Sequence, residues 1–316
     1  MSFKSIATLA FTVGLCSGSA FADEPIPVMA SFSILGDLVK QVGKDHVAVQ
    51  TLVGANGDAH TYEPSPQDAI KMSKAKLFVV NGLGFEGWME RLVSASHYKG
   101  KVVTASNGIT PREFTAEEAA KEEAEEAHEH HDEHHDEHHD GGHDPHAWHN
   151  IPNAIQSVHN IADGLSQIDP AHQSDYQANA KSYIQKLEQL DADLLKKFAA
   201  IPDAERKMIT SHDAFGYLSA RYHITTLAPQ GMSTESEASA KDVAAIVKQI
   251  RQEKIKALFV ENISDPRMIQ QISRETGVKP GKELFSDALS PADGPASTYF
   301  DMMQYNTSQI LAAMKP

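Results

Sequence analysis

Four short stretches set metal-ligating side chains among turn-forming residues: Gly57-Asp58-Ala59-His60-Thr61-Tyr62-Glu63-Pro64, Asp144-Pro145-His146-Ala147-Trp148, Thr210-Ser211-His212-Asp213-Ala214-Phe215-Gly216 and Leu284-Phe285-Ser286-Asp287-Ala288-Leu289-Ser290. A single histidine is more often an ordinary surface or hydrogen-bonded residue, and that plain role is assigned to His46, His97, His149, His159, His172 and His223. The joint occurrence of the four stretches is the stronger signal. It offers His60, His146, His212 and Asp287 as one ligand set of three imidazoles and a carboxylate. Such a set suits a four- or five-coordinate ion, and its borderline nitrogen donors favour Zn²⁺ over the oxygen-preferring Mn²⁺, Mg²⁺ or Ca²⁺. Glu63 or a water competes with Asp287 for the fourth position, although Pro64 beside Glu63 marks a turn. Asp58, Asp144 and Asp213 are placed to hold imidazole N–H groups from outside the ligand set. A turn or helix-cap role is equally open to them.

A second group of histidines has a different character. From Glu113 to Asp140 the composition changes to Glu, Ala, Asp and His, and His128, His130, His131, His134, His135, His138, His139 and His143 lie among acids. Nothing there can bury a core, so a disordered acidic loop is expected over residues 113–143. The eight imidazoles offer overlapping chelating sets. Ordering a flexible chain around an ion costs conformational entropy, so these secondary sites should bind zinc less tightly than the first set.

The elements that must position the ligands follow from the hydrophobic pattern. Pro27–Ser31, Val47–Val53, Leu77–Asn81 and Lys101–Thr104 read as strands, with helices over Ile34–Val42, Pro66–Ser73, Gly87–Ala95 and Ala154–Ile168. Strands alternating with helices imply parallel β-α-β units. Asp169-Pro170 has the form of a helix start, an N-cap acid before proline. Beyond it Tyr176, Ala180, Tyr183, Leu187, Leu190, Leu194 and Phe198 make one apolar stripe ending before Pro202. A coiled-coil dimer is the weaker reading of that stripe, given its alanine and tyrosine positions, and a monomer is expected. The alternation returns with strands at Lys207–Thr210, Ile224–Ala228, Ala257–Glu261 and Glu283–Phe285, and helices at Ala214–Arg221, Ala240–Glu253, Pro266–Glu275 and Ser297–Ala313. The expected organisation is an N-terminal α/β lobe over 23–168, a linking helix over 169–200 and a C-terminal α/β lobe over 201–316. In open α/β sheets ligands collect where loops leave the carboxyl ends of strands. His60, His212 and Asp287 follow strands, and His146 lies in the loop between lobes, so two ligands from each lobe place the ion in the cleft.

Residues 1–22 read as a signal peptide, with Lys4, an apolar run from Ile6 to Leu15 and the small-x-small Ala20-Phe21-Ala22. That run is far below the roughly 20 residues of a spanning helix, and Leu15 disfavours a lipid anchor on Cys16. The single cysteine leaves with the signal, so no disulfide, thiolate ligand or cysteine nucleophile is expected in the exported chain. The formal charge of −15 argues against nucleic acid or anionic lipid as a partner.

The residues Asp58-Ala59-His60-Thr61-Tyr62-Glu63-Pro64-Ser65, Asp144-Pro145-His146-Ala147-Trp148, His212-Asp213-Ala214-Phe215-Gly216-Tyr217 and Ser286-Asp287-Ala288-Leu289-Ser290 resemble the metal-binding solute-binding proteins of ABC importers, in their zinc-uptake, ZnuA-like branch. The resemblance covers essentially the whole exported chain. It implies two Rossmann-like α/β lobes bridged by one long rigid helix, a single metal in the cleft, and delivery to a membrane permease. In the manganese branch the position of His212 is typically glutamate, and an acidic His-rich insertion is typical of the zinc branch. Both point to zinc. The chain departs from some zinc members at Ala59, where they carry a carboxylate, and in lacking a C-terminal disulfide.

The function expected from sequence is therefore capture of Zn²⁺ in the periplasm and its delivery to an ABC permease, with the His-rich loop collecting zinc and exchanging it with a periplasmic metallochaperone. The alternatives are a carrier of manganese or another divalent ion, a periplasmic zinc buffer or adhesin, and a zinc hydrolase. The hydrolase would need an open coordination position for water, and no His-Glu-x-x-His helix is present.

Overall fold

The computed structural model describes residues 24–115, 118–119 and 143–315. Its first lobe is built on a parallel sheet of β1 (Ile26–Phe32), β2 (Val47–Val53), β3 (Leu77–Val80) and β4 (Lys101–Thr104), in the order β2-β1-β3-β4. The helices α1 (Ser33–Gly43), α2 (Pro66–Met72) and α3 (Met89–Ser96) lie in the crossovers, and α4 (Ile151–Ile168) packs against β3 and β4. A parallel strand needs cover on both faces, which is why β3 is an uninterrupted Leu-Phe-Val-Val with every residue buried. In α2 the expected Pro66 start holds. Ser65 and Asp68 form a reciprocal capping box around it.

The second lobe is smaller in its sheet: β5 (Lys207–Ile209), β6 (Thr225–Leu227) and β7 (Ala257–Leu258), all parallel, in the order β6-β5-β7. Its helices are α6 (Gly216–Tyr222), α7 (Ala240–Glu253), α8 (Arg267–Thr276) and α9 (Tyr299–Met314). The strand expected at Glu283–Phe285 is instead a single parallel bridge between Leu284 and Glu261. The ladder stops there because Asn306 takes both backbone groups of Phe285, donating to its carbonyl at 2.7 Å and accepting its N–H at 3.0 Å.

Between the lobes runs α5 (Gln173–Ala199), whose 27 residues span about 40 Å. It starts later than Asp169-Pro170 suggests. Pro170–His172 form a 3₁₀ turn, and the Asp169 carboxylate accepts from the Tyr176 hydroxyl at 2.6 Å instead of capping backbone N–H groups. The stripe from Tyr176 to Phe198 is buried as expected, but it also contains Asp191, a buried acid held by Arg221 and by the Tyr222 hydroxyl. That pairing ties the long helix to α6 in the second lobe. On its other flank α5 packs on α1 and α4. One continuous apolar core consequently runs from the first sheet through α5 to α6 and α9, with a smaller one enclosed by β5, β7, α7 and α8. The molecule is thus two α/β lobes bridged by one long helix. Among the described residues no helix is long and apolar enough to cross a membrane.

Candidate metal centre

The carboxyl ends of β2 and β5 and the turn after the Leu284 bridge open into the space between the lobes, and the loop entering α4 closes it. His60, His146, His212 and Asp287 meet there, each offering one ligand atom, and those atoms all lie within 4.8 Å of one another. The three Nε2 atoms face one carboxylate: His60 lies 3.1 Å and His212 3.3 Å from Asp287 Oδ2, and His146 lies 3.7 Å from Oδ1. Ligands of a tetrahedral zinc with bonds of about 2.0–2.1 Å sit about 3.4 Å apart, so these edges already fit such an ion. The ring centroids are 5.4, 5.5 and 5.8 Å apart, a nearly equilateral triangle.

Burial makes the arrangement costly without a cation. His146, His212 and Asp287 are 0% exposed. Among the described residues the three Nε2 atoms and both Asp287 oxygens have no hydrogen bond of acceptable geometry. Five orphaned buried polar atoms pointing at one another are an unstable set unless a proton or a metal ion joins them. The electrostatics agree. Burial pulls the His146 imidazole down, but Asp287 and Asp144 outweigh it and raise the group to about 9. Burial opposes the charge on His212 too, yet Glu261 and Asp287 hold it well above the ordinary histidine value. For Asp287 burial pushes the carboxyl up, and the His212 and His146 rings hold it well below the usual carboxylate range.

Two of the imidazoles are braced through Nδ1. Asp144 Oδ1 accepts from His146 Nδ1 and from its backbone N–H, both at 2.9 Å, while Oδ2 is taken by Arg112 Nε. On the other side Glu261 Oε1 accepts the backbone N–H groups of Ser211 and His212, and Oε2 lies 2.5 Å from His212 Nδ1. The Asp144 bond fixes the tautomer that leaves Nε2 of His146 free for an ion, and the close Glu261 contact orients the His212 ring in the same sense. His60 is held differently: Asp58 Oδ1 accepts its backbone N–H at 2.9 Å, and Trp88 Nε1 donates to the preceding Ala59 carbonyl. Its side chain, 6% exposed, is the one ring of the three that reaches solvent.

Neighbouring chain fixes the loops that carry these four side chains. Asn81 donates to the Pro145 carbonyl at 2.9 Å, and Trp148 Nε1 donates to the Ser286 carbonyl at 3.0 Å. The turn Gly82-Leu83-Gly84 runs entirely at positive φ, which glycine tolerates at both ends, and it delivers Phe85 against His60 and Trp148 at ring distances of 4.8 Å. Phe85 and Trp148 set their rings against His146, and Phe32 packs behind both of them.

A sequence model of the ZnuA family, described as the periplasmic component A of the zinc-uptake complex, matches residues 28–313. The chain belongs to this family. It is similar to a metal ABC transporter substrate-binding lipoprotein of Lactococcus lactis, 31% identical and covering 98% of this chain and 95% of the relative. It is likewise similar to a manganese ABC transporter substrate-binding lipoprotein, PsaA, of Streptococcus mitis, at 30% identity with 98% and 95% covered. Among solved structures, the periplasmic zinc binding protein TroA of Treponema pallidum superposes with a TM-score of 0.81 at 27% identity, covering 92% of this chain and all of that one. Members of the family are substrate-binding components of metal ABC importers.

Glu63 is exposed and stands outside the group of four. Asp144 holds a ring as expected, whereas Asp58 holds a backbone N–H instead of an imidazole. The Asp213 backbone N–H donates to Gly231. His149 does not have the ordinary role assigned to it: it is fully buried between Trp148 and Phe215, and neither ring nitrogen has a hydrogen bond among the described residues. Burial, then the charge of His146, pull it down to about 3, so it is neutral. Glu261 was missed, because an acid at the end of a short apolar run carries no sign of a histidine 49 residues earlier. His143 is exposed and bridges Glu113. His128, His130, His131, His134, His135, His138 and His139 lie outside the described residues, as do residues 1–22 with Cys16.

Proposed function

We propose that this chain captures one Zn²⁺ in the periplasm and delivers it to the permease of an ABC importer, binding the ion through His60, His146, His212 and Asp287. The observation that carries the reading is the convergence of the three Nε2 atoms and the Asp287 carboxylate, buried and without hydrogen bonds, between two lobes. Zinc is favoured by the donor set: three neutral imidazoles and one carboxylate suit its borderline character better than that of manganese. The manganese-named relative supports the rival ion, and the ligand set is what weighs against it.

The transport reading is also favoured over metal-assisted hydrolysis. A catalytic zinc keeps one position open for water, whereas here the fourth donor is a carboxylate wholly sealed from solvent. Cargo must instead be enclosed and then released. A competition titration of zinc against manganese on the metal-free protein tests the reading, which requires one tight site preferring zinc. A site that holds manganese equally well would move the proposal to a broader divalent carrier.

A further inference from the structure

Three of the four proposed ligands are sealed, so an ion can enter or leave only past His60. What holds His60 in place therefore governs exchange. Among the described residues no carboxylate braces its Nδ1 as in the other two, and its loop is positioned by Asp58, through Oδ1 to the His60 backbone N–H. The second oxygen of the same carboxylate does not stay within the first lobe. Asp58 Oδ2 accepts from the Thr234 hydroxyl at 2.6 Å, and Thr234 belongs to the irregular segment 228–239 between β6 and α7 of the second lobe. Both Asp58 and Thr234 are half-buried at the mouth of the cleft. One carboxylate thus joins the most exposed ligand loop to the opposite lobe.

We propose that Asp58 and Thr234 are positioning residues that form a latch across the cleft mouth and set the rate at which the ion exchanges past His60. The inference rests on the carrier reading above. The turn just before Asp58 is pinned to the second lobe as well, since Asn56 donates its backbone N–H to the Leu289 carbonyl and accepts from Asn262 Nδ2 at 3.0 Å each. Those contacts fix the base of the loop. The Thr234 bond acts two residues from the ligand itself, and a hydroxyl bonded to a carboxylate is stronger than a neutral pair yet reversible without breaking the packed core.

The test compares T234V, which removes the hydroxyl at nearly constant volume, with T234S, which restores it. Zinc release into excess chelator and zinc association are both followed by stopped flow on the whole protein. T234V is expected to release zinc roughly tenfold faster, the size set by losing a hydrogen bond to a charged group, and also to take it up faster, so that affinity falls by less than the release rate rises. T234S should match the unaltered chain. A T234V protein whose rates stay within about twofold of the original, or a T234S protein as fast as T234V, overturns the latch. If the unaltered chain holds no zinc, the zinc assignment fails, and the same comparison made with manganese still decides the latch.

Discussion

The floor of the site and its mouth are built on different principles. At the floor His146 and His212 are each gripped at Nδ1 by a buried carboxylate, Asp144 or Glu261, which also takes the backbone N–H of the same histidine. At the mouth His60 is held through its backbone alone by Asp58, whose other oxygen reaches across to Thr234. The floor is preorganised, so it should determine how tightly an ion is held. The mouth is adjustable, so it should determine how fast an ion moves. A carrier needs both properties, and dividing them between different residues lets each be set separately.

Removing a ligand should give the largest effects and should rank the two regions. His212→Ala and Asp287→Ala are each expected to cost roughly a hundredfold or more in zinc affinity, about a quarter of the binding free energy of a four-ligand structural site. His60→Ala should cost less, because its ring is less firmly preorganised. Competition titrations that found His60→Ala the most damaging of the three would reverse the ranking. The fold should survive each change, since the continuous core through α5 is packed from apolar side chains of both lobes.

Next in size are the braces. Glu261→Gln and Asp144→Asn should each weaken zinc binding about 10–100-fold by loosening the tautomer and orientation of a ligand ring. Calorimetry that showed no change for either variant would mean the floor is held by backbone alone, as the mouth is.

The pH dependence sharpens the same contrast. Without metal, His146 titrates near 9 and His212 well above its ordinary value, so zinc must displace protons from the floor at neutral pH. Zinc affinity should therefore keep rising from pH 6.5 to pH 9, above the window near 6.5 that unperturbed histidines would give. The sign for stability is opposite in the metal-free protein. A histidine raised in the folded state stabilises fully below about 6.5 and loses that contribution as pH rises through 9, so Tm without metal should fall over this range. The Tm increase produced by zinc should grow over the same range. Thermal scans in which it stayed constant would place the bound protons elsewhere.

The smallest expected effect on the tight site comes from deleting residues 122–140. Calorimetry should show the additional weak zinc sites lost and the tight one unchanged. Loss of the tight site would assign primary ligands to the His-rich segment.

Much of the frame could be read from the chain in order, because local rules decide it. His60 lies on the loop that follows β2 and His212 just beyond β5, and the stripe from Tyr176 to Phe198 has a helical period that only a long helix satisfies. The details that depend on distant partners could not be read this way. Glu261 braces a residue 49 positions away, and Asp58 meets Thr234 across 176 positions. His149 looks like any histidine beside a tryptophan until the packing of Phe215 closes over it. At Glu283–Phe285 the strand pattern was sound, but a single asparagine on α9 captured the backbone groups that a strand would have used.

The most direct measurement is an anomalous difference map at the zinc edge from crystals of the zinc-loaded protein. One strong peak is expected about 2.0–2.2 Å from His60 Nε2, His146 Nε2, His212 Nε2 and an Asp287 oxygen. A principal peak on other side chains, or one with water in place of Asp287, would contradict the proposed site.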